Sequence, residues 1–191
     1  MKEILIINGH PRKGSFSHAL ADHYAQGVQE TQVQLRRIDI GSLDFDPNLA
    51  HGYHQRTPWE PDLEAAMANI KRADHLVWIF PIWWYGYPAI MKGFIDRTFL
   101  PGIAFRDGSK ALPERLFCGK SARIIATADT PLWYNRLVMR NPAINQLKRG
   151  TLHFSGIRPV RVTYISPIKG TSDAFRQEWL EKVYRLGKAG K

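Results

Sequence analysis

Three short, almost unbroken apolar runs limit the possible folds of this chain more than any other feature. They occupy residues 3–8, 75–80 and 123–127. None shows the strict alternation of a strand that faces water on one side. A strand that is apolar on both faces is buried on both faces, which is typical of a parallel sheet covered by helices. The runs therefore predict a central parallel sheet.

Helical periodicity fills the segments between these runs. Phe16, Leu20, Tyr24 and Val28 lie four residues apart, which predicts a helix over residues 15–30 with Ser17 as its N-cap. The same alternation predicts two further strands and three further helices. The strands are residues 33–40 and 160–166, and the helices are residues 62–72, 88–99 and 172–186.

This order of elements predicts an α/β protein of the flavodoxin-like type. We expect a three-layer sandwich in which a five-stranded parallel sheet of strand order 2-1-3-4-5 has helices on both faces. The chain of 191 residues contains no internal repeat and no linker that would divide it, so residues 1–191 are predicted to form one domain.

Cysteine content and hydropathy indicate the cellular compartment. The single cysteine, Cys118, excludes an intramolecular disulfide and a Cys-rich zinc module, and it favours a reducing environment. The apolar run at the N-terminus is too short for a signal peptide or a membrane span. We therefore expect a cytoplasmic protein with no metal site and no membrane insertion.

The net charge of +10 comes from 27 basic and 17 acidic residues. A basic isoelectric point is common among nucleic-acid-binding proteins, but here the basic residues are scattered and no recognition motif accompanies them. The densest groups are the pairs Arg36–Arg37 and Lys148–Arg149. We expect no nucleic acid as partner. The charge fits either a solvated surface or a site for a polyanionic small molecule.

Ligands of such sheets bind beyond the carboxyl ends of the strands, here the loops 9–17, 81–87 and 128–134. The first loop places an imidazole, cations and hydroxyls before a helix, which favours a phosphate site over a simple polar turn. The second holds four aromatic residues, whose flat surfaces suit a planar heterocycle, although a hydrophobic corner or dimer patch would use them too. The third adds hydroxyls, Asp129 and two aromatic rings.

Residues 80–97, which read FPIWWYGYPAIMKGFIDR, resemble the signature of the NAD(P)H quinone oxidoreductases of the flavodoxin-like fold. Residues 9–19 and the segment LHFSGI at 152–157 are also similar to that family. The resemblance implies a flavin enzyme, a homodimer, that transfers hydride from NAD(P)H to quinones or related acceptors in a ping-pong cycle. FAD is favoured, because the first loop resembles that of FAD-using relatives, and FMN is the alternative.

The resemblance also assigns roles by position. The residues implied for the flavin phosphates are His10, Ser15, Phe16 and Ser17. Those implied for the flavin ring are Pro81, Ile82, Trp83, Trp84 and Tyr85, and those along its pyrimidine edge are Thr127, Ala128 and Asp129. The residues implied in catalysis are Trp84, as a wall of the acceptor pocket, and Tyr134, beside the flavin O2. The chain departs from the family at Gly14, where a threonine is common, and at Asp129–Thr130, which replaces a Gly-Gly pair. The histidine that follows the family's tyrosine has no match.

A binding protein of the same fold remains the alternative function. It would be a flavin-binding electron carrier, or a regulatory subunit of a membrane transporter. Electron carriers of this fold are acidic, whereas this chain is basic. A regulatory subunit would look the same in sequence.

Overall fold

The computed structural model describes residues 2–106 and 113–190. A parallel sheet of five strands lies at its centre in the order β2-β1-β3-β6-β7. These strands are β1 (Glu3–Asn8), β2 (Gln34–Asp39), β3 (His75–Pro81), β6 (Ser121–Thr127) and β7 (Val160–Ile165). A small antiparallel ribbon of β4 (Phe105–Arg106) and β5 (Glu114–Arg115) lies outside the sheet. The predicted order 2-1-3-4-5 is confirmed, counting only the strands of the main sheet.

Helices cover both faces of the sheet, as predicted. They are α1 (Phe16–Gln29), α2 (Pro61–Arg72), α3 (Ala89–Thr98), α4 (Leu132–Leu137), α5 (Pro142–Asn145) and α6 (Asp173–Lys188), with a 3₁₀ turn at Ile40–Ser42 and a π-helix at Gln146–His153. Among the described residues, no helix combines the length and the apolar composition that crossing a bilayer requires.

Alternating side chains of each strand supply two separate cores. On β1, Ile4 and Ile6 pack with α1 and α6, whereas Leu5 and Ile7 pack with α2 and α3. All four side chains are completely buried. This two-sided burial is what the unbroken apolar runs predicted, since neither face of a central strand is left for water.

The start of α1 differs from the prediction. Ser15, not Ser17, is the N-cap: its backbone is extended, and its hydroxyl accepts a hydrogen bond from the His18 backbone N–H. Ser17 lies inside the first turn and is buried. Two serines flank Phe16, and the spacing of apolar residues does not decide which of them is the last extended residue.

Register places the ends of the strands level with one another. Asn8 at the end of β1 lies between Asp39 of β2 and Ile79 of β3. Thr127 at the end of β6 lies between Pro81 and Ile165. Because all five strands are parallel, the loops that follow them emerge on the same edge of the sheet.

Candidate cofactor site

A cavity of about 340 Å³ opens at this edge of the sheet. The loops after β1, β3 and β6 all contribute to its walls. The predicted cofactor residues that line it are His10, Ser15, Phe16, Ser17, Pro81, Ile82, Trp83, Thr127, Ala128 and Asp129. Trp84, Tyr85 and Tyr134, which were also predicted, are not among its lining residues.

The first loop gives the cavity one polar end. Gly14 has a φ of +69°, a left-handed conformation that glycine adopts at little cost, and it turns the chain into Ser15 at the start of α1. The first N–H groups of a helix attract anions through their unpaired donors and the helix dipole. Arg12 lines the same end. The arrangement is suited to a phosphate.

His10 is held in one orientation at this end. Its backbone N–H donates to Asn8 Oδ1 at 3.1 Å, and its Nδ1 accepts from the Arg12 backbone N–H at 3.0 Å. Its ring meets the Trp83 ring edge to face, with centroids 5.4 Å apart. Burial lowers the pKa of His10, and the charges of Arg12 and His18 lower it further. His10 is therefore a neutral ring that joins the phosphate end to the aromatic loop.

A tight turn shapes the aromatic loop after β3. Trp83 and Gly86 exchange two backbone hydrogen bonds of 2.9 Å, and the residues between them, Trp84 and Tyr85, have φ values of +49° and +57°. Left-handed backbone costs an L-residue about 1–2 kcal/mol, so two adjacent aromatic residues in it are strained. The turn keeps Trp83 at the cavity and directs Trp84 outward, where it is 99% exposed.

The loop after β6 forms the opposite wall. Ile82 N–H donates to the Thr127 carbonyl at 2.7 Å, which ties this wall to the aromatic loop. Asp129 Oδ1 accepts the Lys169 backbone N–H at 2.7 Å, so its carboxylate binds the loop that follows β7. Tyr134 lies further along, on α4, packed edge to face against Trp133 with centroids 5.6 Å apart.

Three residues at this site were not predicted from the sequence: Ile168, Tyr164 and Arg176. Ile168 and Arg176 line the cavity. The Tyr164 hydroxyl donates to the Thr130 carbonyl at 2.9 Å and so holds the loop after β6, and burial raises the pKa of Tyr164 to about 12. The signal that could have found Arg176 is topological, because the first turns of α6 start at the same edge of the sheet as those of α1.

Arg176 carries an unused donor at the cavity. Its guanidinium carbon lies 6.0 Å from the centroid of the Phe16 ring. Its Nε is buried and makes no hydrogen bond to any residue that the structure describes. A buried donor without a partner is costly, and a small turn of the side chain would offer it to an anion in the cavity. With the helix start and the flat apolar wall, this donor makes the site fit a planar ring that carries phosphate.

Comparison with solved structures agrees with this architecture. Smu.1420 from Streptococcus mutans UA159 is 32% identical to the chain, with a TM-score of 0.85 over 98% of this chain and 99% of that one. An NAD(P)H:quinone oxidoreductase from Methanothermobacter marburgensis is 21% identical, with a TM-score of 0.83 over 98% and 96%. An FMN-dependent NADH-azoreductase from Bacillus anthracis, solved in complex with FMN, is 15% identical, with a TM-score of 0.78 over 99% of each chain.

Sequence comparison identifies the family. An uncharacterized NAD(P)H oxidoreductase of Escherichia coli strain K12, YcaK, is 30% identical over 116 residues, which span 57% of this chain and 58% of that protein. The family model described as the flavodoxin-like fold matches residues 2–186. These matches confirm the resemblance that the signature around Trp84 predicted. The chain belongs to the family of proteins with the flavodoxin-like fold whose members include NAD(P)H oxidoreductases.

Proposed function

We propose that the protein is a flavin-dependent NAD(P)H oxidoreductase that reduces quinones or similar acceptors in a ping-pong cycle. The observation that carries the proposal is a single cavity with a phosphate-type end and a flat apolar wall. The names of the E. coli and M. marburgensis relatives support the donor and the acceptor class. The single cysteine, Cys118, supports a reducing, cytoplasmic location.

The residues at the polar end would hold the cofactor's phosphate. Ser15 and Ser17 offer hydroxyls, α1 offers its N-terminal N–H groups, and Arg12 and Arg176 offer positive charge. Charge-assisted hydrogen bonds are about twice as strong as neutral ones, so the two guanidinium groups add most to the binding of an anion. We expect FAD, because the first loop resembles that of FAD-using relatives. FMN is the alternative.

The residues at the apolar end would orient the ring. Pro81, Ile82 and Trp83 form one wall, and Thr127 and Ala128 lie on the other. A flavin held there would accept hydride from NAD(P)H and pass it to the quinone, which is chemistry that the cofactor supplies. The protein sets the position of the reactants, and an error of an ångström in that position costs about 10²-fold in rate.

Trp84 and Tyr134 are proposed to act at the acceptor side. Both lie outside the cavity, with 99% and 36% of their surface exposed. Trp84 would be a flat wall against which an acceptor stacks. For Tyr134 the support is the family resemblance alone: its hydroxyl would donate toward negative charge that develops on the bound ring.

A homodimer is proposed from the apolar surface around these two residues. Trp133 is 62% exposed and Leu137 is 72% exposed on α4, and Trp84 is exposed on the aromatic loop. Large exposed apolar patches are uncommon on monomers, and a twofold partner would bury this one. Sedimentation at micromolar concentration should therefore show a species of twice the 21.9 kDa chain mass. A single 21.9 kDa species for the wild type would contradict the dimer. Leu137→Ser should shift the population toward the monomer, whereas Lys182→Ser, on the surface of α6, should not.

The experiment that tests the proposed function measures flavin content and turnover together. Purified protein is loaded with FAD or FMN, excess flavin is removed, and NAD(P)H oxidation is followed with menadione as acceptor. Heat release and chromatography of the bound flavin then distinguish FAD from FMN. Failure to bind either flavin would overturn the proposal. Tight flavin binding without NAD(P)H oxidation would instead identify an electron carrier or a regulatory subunit, for which the exposed apolar surface would be the docking face.

A further inference from the structure

A chain of polar contacts lies behind the phosphate end of the cavity. Ser15 Oγ is 2.9 Å from His18 Nδ1, and His18 Nε2 is 3.4 Å from Asp39 Oδ1. Ser15 is buried, and the side chains of His18 and Asp39 are 12% and 27% exposed. Ser15 lines the cavity, whereas His18 and Asp39 do not. His18 therefore lies between a cavity residue and a carboxylate at the end of β2.

Asp39 is fixed where it faces His18. Its Oδ1 accepts from Asn8 Nδ2 at 2.8 Å and from Arg37 Nη2 at 3.0 Å, and its Oδ2 lies 2.9 Å from Arg37 Nε. A carboxylate only accepts hydrogen bonds, so the His18 nitrogen that faces it is the one that carries hydrogen. In the neutral ring, His18 Nδ1 is then an acceptor.

The hydroxyl of Ser15 has a single hydrogen to donate. It already accepts from the His18 backbone N–H at 3.3 Å as the N-cap of α1. When His18 is neutral, the hydroxyl donates its hydrogen to His18 Nδ1 and has none for a ligand. When His18 is protonated, Nδ1–H donates to Ser15 Oγ instead. The hydroxyl hydrogen is then free to point into the cavity.

We propose that His18 is a positioning residue that couples phosphate binding to the uptake of one proton, by turning the Ser15 hydroxyl into a donor while Asp39 stabilises the imidazolium. The nature of the anion, a flavin phosphate, rests on the proposed function. The coupling itself needs only an oxyanion beside Ser15. Because an anion and an imidazolium attract each other, each favours the binding of the other.

Two histidine rings lie near the phosphate end, and their contacts differ. His10, whose ring centroid is 6.4 Å from that of His18, accepts a backbone hydrogen bond at Nδ1 and has a pKa lowered mainly by burial. The cations at this end are Arg12 of the first loop and Arg176 of α6, which line the cavity, and Arg37 of β2, which contacts Asp39. Arg37 is paired with Asp39 and Asp22, so much of its charge is balanced. Of these two rings, His18 is the one with a carboxylate oxygen at 3.4 Å among the described residues.

The test measures the binding of FAD, FMN and riboflavin between pH 5.5 and 8.5 by quenching of flavin fluorescence. For wild-type protein, the Kd of the phosphate-bearing flavin should rise by up to about tenfold per pH unit as the pH increases through the range in which histidine titrates. Riboflavin, which has no phosphate, should bind without this dependence. In His18→Gln this pH dependence of Kd should be lost. Because both proteins bind the same flavin, the difference between their profiles excludes the contribution of the ligand's own titration. In Asp39→Asn the same dependence should move to lower pH.

Two further measurements distinguish failure of the proton coupling from failure of the proposed function. Calorimetry of FAD binding in two buffers of different ionisation enthalpy should show proton uptake by wild type and none by His18→Gln. NMR of histidine-labelled wild-type protein without cofactor should show the His18 titration midpoint rise in sodium sulfate relative to sodium chloride. Parallel pH profiles for wild type and His18→Gln, or no effect of sulfate on His18, would overturn the coupling. Absence of flavin binding with a clear effect of sulfate would overturn the proposed function and leave the coupling supported.

Discussion

Helices α1 and α6 approach each other through two glycines, and replacing one of them should destabilise the protein. A Cβ atom added to Gly187 would overlap the carbonyl oxygen of Tyr24, and it would lie 3.0 Å from the Tyr24 carbonyl carbon and 3.2 Å from the Val28 nitrogen. A Cβ added to Gly27 would lie 2.8 Å from the Lys188 nitrogen. All these neighbours are backbone atoms, which cannot rotate away as a side chain can.

The expected change in stability is opposite in sign to that of Gly→Ala at an ordinary helical position. In an open helix, Gly→Ala stabilises by about 0.5–1 kcal/mol. At Gly187 the two helices must instead separate by about 1 Å or more, because the closest contact is with the Tyr24 carbonyl oxygen and normal contacts need about 3.5 Å. Overpacking of this kind costs about 1–3 kcal/mol. For a chain of this length, each kcal/mol corresponds to about 2–4 °C in Tm. Gly187→Ala should therefore lower Tm by about 2–12 °C.

Gly150 provides the matched control. It lies in the π-helix, and a Cβ there would meet no atom of the described residues within 4 Å. Thermal unfolding of the cofactor-free proteins, followed by circular dichroism, should show a small rise for Gly150→Ala and a clear fall for Gly187→Ala. The Gly27→Ala/Gly187→Ala double variant should lose less stability than the two single variants lose together, because one separation of the helices accommodates both methyl groups. Equal and positive shifts at Gly187 and Gly150 would refute the reasoning.

Four further predictions concern single side chains. Trp84→Ala should leave flavin content unchanged, because this side chain does not line the cavity, and should raise KM for menadione by about 2- to 10-fold. Tyr134→Phe should slow the reduction of bound flavin by about 10- to 100-fold in stopped-flow measurements, and an unchanged rate would remove its catalytic role. Burial lowers the pKa of His75 to about 4, so the unfolded chain binds a proton near pH 6.5 before the folded one does. The free energy of unfolding should then fall by about 3 kcal/mol between pH 6.5 and 4, and urea titrations should show a smaller fall in His75→Gln. Arg97 is 1% exposed and pairs with Glu60 at 2.9 Å. Arg97→Met should therefore lower the free energy of unfolding by about 3 kcal/mol, and a loss below 1 kcal/mol in urea unfolding would contradict its structural role.

The sheet and most of the cavity could be predicted from the sequence because both depend on strong local signals. The apolar run of β1 needed no tertiary information, since a strand buried on both faces leaves its mark on every residue. Once the strand order is known, topology brings the loops after β1, β3 and β6 to one edge. Ser15, Trp83 and Thr127 come together in the cavity for this reason.

The orientation of Trp84 could not be predicted, because it depends on the type of turn. Two-residue turns with left-handed backbone at both positions usually contain Asn-Gly or a similar pair, and Trp84–Tyr85 gives no such signal. Arg176 could not be predicted for another reason. It reaches Phe16 across about 160 residues of sequence, and only the packing of α6 on α1 makes them neighbours. Short helices such as α4 are stabilised by their surroundings and have little periodicity to detect.

The two ends of the cavity are held by different parts of the fold. The ring end rests on the sheet, through backbone hydrogen bonds such as that from Ile82 to Thr127, in which no helix takes part. The phosphate end rests on the contact between α1 and α6, since Ser15 begins one helix and Arg176 belongs to the other. That contact is close only because Gly27 and Gly187 have no side chains. The glycines at the far ends of the two helices therefore help to hold together the helices that carry Ser15 and Arg176, the residues proposed to bind the phosphate.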